Sequence, residues 1–200
     1  CRNFPPGAAA CFTATVRGMA NDFNRITQTD LFEVLDRRGQ NVASVGTIRS
    51  TPASRGLLVQ RALRGDATVS VIVQEGRQYQ VCVTPVRSDG RIVGVLLLGS
   101  EVGDRLARAM RGQMRCDVSF LAGGAITSTT LDDATDRTAM LGRVSRAFED
   151  TRGDVKRVGQ LDIKGSDLTY IAVIRPIPGS QPAERRFYVM QRARDPETDF

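Results

Sequence analysis

The chain has no histidine and no tryptophan, and only two of its 28 basic residues, Lys156 and Lys164, are lysines. Without histidine, Ser-His-Asp and Cys-His catalytic arrangements and Cys/His zinc sites are excluded. Cys1, Cys11, Cys82 and Cys116 lie too far apart for the Cys-x-x-Cys spacing of metal or redox sites. They read as free buried thiols or, in an oxidising compartment, as one or two disulfides. No apolar run approaches the roughly 18 residues that cross a bilayer. The longest, Ile92–Leu98, has the length of a strand. A signal-peptide pattern is missing too. Gly94, Gly99 and Gly103 fit neither the phosphate-loop nor the dinucleotide pattern. The net charge of +6 comes from scattered arginines without interleaved aromatics, so no nucleic-acid partner is expected. No cofactor and no metal are expected, and the chain reads as a non-enzyme.

What is present is a folded composition, 41% hydrophobic and 25% charged over 200 residues, enough for one large domain or two small ones. A weak internal repeat favours two. Leu31–Gly39 runs from an apolar strand into a Gly-containing turn before a second strand, Val42–Val45. Cys116–Gly124 followed by Ala125–Ser128 has the same shape. A segment of helical period follows each hairpin, with Leu57, Leu58, Ala62 and Leu63 in one and Met140, Leu141, Val144, Ala147 and Phe148 in the other. Three strands then close each copy: Thr68–Gln74, Gln78–Val86 and Arg91–Gly99, then Val155–Ile163, Leu168–Ile177 and Arg186–Gln191. Tyr79 and Pro85 recur as Tyr170 and Pro176 at the same spacing. Proline marks a strand end or edge in both. Ala8–Asn24 and Glu101–Gln113 read as helices.

The expected class is α+β, two modules each with a five-stranded antiparallel sheet and flanking helices, joined by a linker helix. The boundaries are an N-terminal helical segment over 1–29, a first module over 30–102, the linker over 103–115 and a second module over 116–200.

Phe32–Val42, Ala62–Asp66, Val83–Val95 and Gly123–Thr129 carry a resemblance to the double Cache (PAS-like) sensor family, spanning roughly residues 30–192. The resemblance implies the periplasmic part of an inner-membrane receptor held by membrane helices before residue 1 and after Phe200. It also implies a small-molecule ligand, a homodimer, and a cytoplasmic output domain on the same full-length chain. In that scheme the first module is membrane-distal and the second membrane-proximal. The amino-acid-binding motif of some members needs a tryptophan, so that ligand is not carried over.

A ligand site needs a concave face with a few convergent polar groups. Alternation along Gln78–Val86 puts Tyr79, Val81 and Val83 on one face and Gln80, Cys82 and Thr84 on the other. The polar trio is expected to meet a small, anionic ligand beneath the loop and helix of Thr47–Arg64, where Arg49 and Arg55 offer guanidinium forks. The candidate ligand-binding set is therefore Arg49, Arg55, Tyr79, Gln80, Cys82 and Thr84, with Arg175 in the corresponding role in the second copy. Asp132-Asp133 and Glu149-Asp150 are read as helix-end caps or solvated surface. The competing reading is a dimerisation or protein-interaction module without a small-molecule ligand. An intracellular PAS-like or profilin-like scaffold is a third.

Overall fold

The computed structural model describes residues 8–150, 160–165, 168–181 and 184–194, with side chains of the first helix from residue 12 onward. The chain divides into two compact units, Cys1–Glu101 and Val102–Phe200. The first holds α1 (Ala8–Thr27), β1 (Leu31–Asp36), β2 (Asn41–Gly46), α2 (Pro52–Leu63), β3 (Thr68–Gln74), β4 (Arg77–Ser88) and β5 (Arg91–Glu101). The second holds α3 (Asp104–Met114), β6 (Asp117–Ala122), β7 (Ala125–Thr129), α4 (Ala134–Asp150), β8 (Gln160–Lys164), β9 (Thr169–Pro176) and β10 (Arg186–Ala193).

Each unit has one antiparallel sheet, in the orders β2-β1-β5-β4-β3 and β7-β6-β10-β9-β8. The expected α+β class and five-stranded sheets are present. Two-residue turns shape the hairpins, with positive φ at both central residues of Glu75-Gly76, Asp89-Gly90 and Gly123-Gly124. That geometry matches the right-handed twist of the flanking strands. These turns are tighter than the sequence suggested, and β4 gains Arg77, Arg87 and Ser88 as a result. In the longer β1–β2 turn, Asp36 Oδ1 accepts from the N–H groups of Arg38 and Gln40, both at 2.8 Å.

The repeat extends to strand irregularities. The β1–β2 register shifts between Val34 and Leu35, and β6–β7 shifts at the corresponding point, between Phe120 and Leu121. Tyr79 pairs with Glu101 and Pro85 with Val95; Tyr170 pairs with Ala193 and Pro176 with Phe187. Pro85 lies beyond the β3 ladder, whose described pairing ends at Thr68–Val83. There β4 has a strand neighbour on one side only, the edge setting in which proline is tolerated.

In the first unit β1 is buried on both faces. Leu31 and Leu35 pack with Val59 and Ala62 of α2 and with Tyr79, Val81, Val83, Val95 and Leu97. On the opposite face Phe32 packs with Ala20 of α1, and Val34, Leu96 and Leu98 join it. α2 begins at a capping box between Thr51 and Ser54, with Pro52 in its first turn. Its buried positions are Arg55, Val59 and Ala62, at i, i+4 and i+7. Leu57, expected on the apolar stripe, is 78% exposed because it lies more than a quarter-turn from that line.

In the second unit Met140, Val144 and Ala147 of α4 cover Leu121, Leu161, Ile163, Ala172, Ile174, Phe187 and Val189, with Leu141 and Phe148 packed at the margin. Asp133 caps α4 by accepting from the N–H of Asp136 at 2.9 Å. Glu101, expected to open the linker helix, ends β5 instead, and α3 forms part of the second unit. The segment 155–159 of the expected strand preceding Ile163 lies outside the described residues. No helix among the described residues is long and apolar enough to cross a membrane.

Candidate functional site

Alternation along β1 places Glu33 on the same face as Leu31 and Leu35, beneath α2. A carboxylate there needs partners, because burying a charge alone is costly. Ser50, just before α2, donates its N–H to Glu33 Oε1 at 2.8 Å and its hydroxyl to Oε2 at 2.6 Å. Arg55, one turn into α2, donates Nη1 to Oε2 at 2.7 Å and also to the Ser50 carbonyl and hydroxyl at 3.1 and 2.9 Å. The side chains of Glu33 and Arg55 are 1% and 9% exposed.

The expected ligand set therefore does not converge. Tyr79 lies on the α2 face as a core residue, its hydroxyl pKa raised by burial and then by the nearby Glu101 charge. Gln80, Cys82 and Thr84 lie on the other face, away from α2, and Cys82 is exposed. The alternation along β4 holds, but the face covered by the helix is the apolar one, which loses more by exposure to water. Arg55 lies on the buried side of α2, where its charge is taken up by Glu33. Arg49 is exposed on the preceding loop. Arg175, the counterpart proposed in the second copy, is exposed and donates to the carbonyl of Ile174 at 2.8 Å. Cys82 and Cys116 are free thiols, and Cys82 is not the buried thiol expected; the side chains of Cys1 and Cys11 lie outside the described residues.

Two features escaped the sequence reading. Glu33 was detectable as a lone charge inside an otherwise apolar strand. The other is a groove of about 420 Å³ between α1 and the sheet face opposite α2, walled by Phe12, Val16, Met19, Phe23, Val34 and Leu96 among others. Phe12, Met19, Phe23 and Ile26 remain 63%, 57%, 56% and 80% exposed. With Val16 they follow a 4-3-4-3 spacing, the period of a helix-pairing seam.

In the second unit, Tyr170 donates its hydroxyl to Asp136 Oδ2 at 2.7 Å. That bond, followed by burial and the charges of Asp136, Asp117 and Asp133, pushes the phenol pKa up to about 12. Nearby, Thr130 accepts from the Val118 N–H and donates to Asp117, both at 2.9 Å. Among the described residues no group of three metal-ligating side chains forms.

No family model matches this sequence, and no curated protein does. Solved structures match through the backbone. The sensor domain of the histidine kinase DctB from V. cholerae is 13% identical with a TM-score of 0.55, over 93% of this chain and 80% of that one. The periplasmic domain of Vibrio cholerae LuxQ is 10% identical with a TM-score of 0.59, over 94% and 84%. The ligand-binding domain of the Campylobacter jejuni chemoreceptor Tlp3, solved with 4-methylisoleucine, is 11% identical with a TM-score of 0.54, over 99% and 79%. At such identities the likeness is one of fold, and it covers both units: the chain has the tandem PAS-like, double Cache fold of these domains.

Proposed function

We propose that this chain is the non-catalytic, periplasmic sensor region of an inner-membrane signalling receptor, relaying its input to a cytoplasmic output domain on the same full-length protein. The observation that carries this reading is the tandem fold, matched along nearly the whole chain by sensor domains of a kinase and a chemoreceptor. The test is a fusion of alkaline phosphatase, active only outside the cytoplasm, after Phe200 of the chain expressed with its native flanking segments. Activity restricted to a cytoplasmic reporter at the same position would overturn the assignment.

Ligand input is proposed at the first unit, where a small anion approaching the loop before α2 meets exposed Arg49 first. To reach Arg55 it must displace Glu33, so binding is coupled to the position of β1 against α2. A ligand biases a conformational equilibrium only by its difference in affinity for the two states, and this exchange of carboxylates supplies such a difference. Tyr79 closes the core below. Gln80, Cys82 and Thr84 fall outside the site on this reading. A thermal-shift screen with small carboxylates tests it: Arg49→Ala should remove the response, and an unchanged response moves the site elsewhere.

The seam on α1 favours a second element of the reading, a homodimer joined through α1. The Phe12-Val16-Met19-Phe23-Ile26 spacing suits a partner helix of the same kind. Sedimentation velocity should show a dimer that Met19→Glu with Phe23→Glu dissociates; a wild-type monomer throughout the micromolar range would refute it.

A further inference from the structure

Gly99 and Gln191 occupy the same register position in the two sheets. Gly99 pairs with Leu31 and Val81, and Gln191 pairs with Asp117 and Ala172. A Cβ on Gly99 would lie 2.8 Å from Val81 Cγ1, so the first unit is packed solid there. In the second unit the position carries an amide. Gln191 is 1% exposed, and neither its Nε2 nor its Oε1 has a hydrogen-bond partner. A buried, wholly unpartnered amide is destabilising and calls for an explanation.

Gln191 forms part of the wall of an open cavity of about 660 Å³ near the C-terminal end of α3, within the second unit. Arg108, Arg111, Arg115 and Arg192 line the same cavity, against one carboxylate, Asp117. Arg111 is engaged, its Nε lying 3.4 Å from Asp117 Oδ1 and its Nη1 donating to the Thr130 carbonyl at 3.2 Å. Arg108, Arg115 and Arg192 make no ion pair among the described residues. Arg108 and Arg111 are three residues apart on one side of α3, and Arg115 follows as its C-cap residue in the left-handed conformation. One cation suffices to complement a helix C-terminus; several around one opening repel each other until an anion enters.

We propose that this cavity binds a small hydroxylated organic anion, a hydroxy-carboxylate or a sugar phosphate. Its oxyanion meets Arg108, Arg115 and Arg192. The Gln191 amide, sealed from solvent in the free protein, turns into the cavity on binding, where its N–H donates to one ligand oxygen and its carbonyl oxygen accepts from the ligand hydroxyl. An anion without a hydroxyl leaves that carbonyl unpartnered and binds more weakly. The site rests on the second unit alone and does not depend on the receptor assignment.

Calorimetry and thermal shift with citrate, tricarballylate (citrate without its hydroxyl), glucose 6-phosphate and inorganic phosphate at constant ionic strength test it. Citrate or glucose 6-phosphate should bind and raise Tm by mass action, and the first should exceed tricarballylate. Arg108→Ala with Arg192→Ala, both on the exposed rim, and separately Gln191→Leu should each weaken binding about tenfold or more. Gln191→Leu removes two unpartnered polar atoms, so the free protein should keep or gain Tm, which guards against misreading a folding defect. Absence of binding by all four probes would overturn the proposal. So would binding that survives both sets of substitutions unchanged.

Discussion

Arg55 and Glu33 meet at 2.7 Å beneath α2, with Ser50 bonded to both. The spacing that superposes Val59 and Ala62 on Val144 and Ala147 puts Met140 at the place of Arg55, and strand pairing puts Ser119 at the place of Glu33. The second unit thus has a neutral pair where the first holds an ion pair.

Removing one partner strands the other charge in the core. Glu33→Ala or Arg55→Ala alone should destabilise the first unit by about 3–5 kcal/mol. The double variant Glu33→Leu with Arg55→Met should recover most of that loss, since a well-packed apolar pair often matches a buried ion pair. Urea unfolding of the three variants checks both; a double variant no better than the singles would contradict the argument.

Tyr170 gives the second unit a signature at high pH. Its folded pKa of about 12 lies above the ordinary value of 10.0, so its stabilisation is complete below pH 10 and is lost as pH rises from there through about 12. Tyr170→Phe should flatten that decline and cost about 1–2 kcal/mol at neutral pH through the lost bond to Asp136. Chemical denaturation at neutral pH and between pH 9 and about 12 reads both effects.

Gly99→Ala should be costly although it adds one methyl. The new carbon would press on Val81 at 2.8 Å and Leu31 at 3.3 Å, both core residues without room to turn aside. Overpacking of this kind costs about 1–3 kcal/mol. Gly112→Ala, on an exposed face of α3 where nothing lies within 4 Å, should instead be neutral or stabilising.

The free thiols should differ in reactivity. Cys82 is exposed, whereas Cys116 is part-buried and its thiol is pushed up by burial and then by Asp117. In a background with Cys1 and Cys11 replaced by serine, alkylation followed by mass spectrometry should modify Cys82 first. Equal rates would contradict the exposure difference.

The sequence revealed the duplicated strand order because hairpin turns carry local marks, such as Asp89-Gly90, and because Tyr79 and Pro85 recur at Tyr170 and Pro176 with one register. It did not reveal which face each helix covers. Alternation sorts Tyr79 from Gln80 but leaves both faces available until tertiary packing chooses, and the choice removed the polar trio from the expected site. Leu57 shows the same limit on a helix: adjacent leucines point about 100° apart, and only Leu58 reaches the core. Glu33 and Gln191 show the converse: a polar residue within an apolar strand stands out, but only its tertiary neighbours decide whether it faces solvent or the core.

The order β2-β1-β5-β4-β3 seats the last-made strand of the first unit at the centre, and β10 has that place in the second. During synthesis neither sheet can close until its final strand leaves the ribosome, so β1 and β2 wait for β5 as a lone hairpin. A chain stopped before Arg186 should therefore keep its first half intact and lose the second altogether, not merely one edge of it.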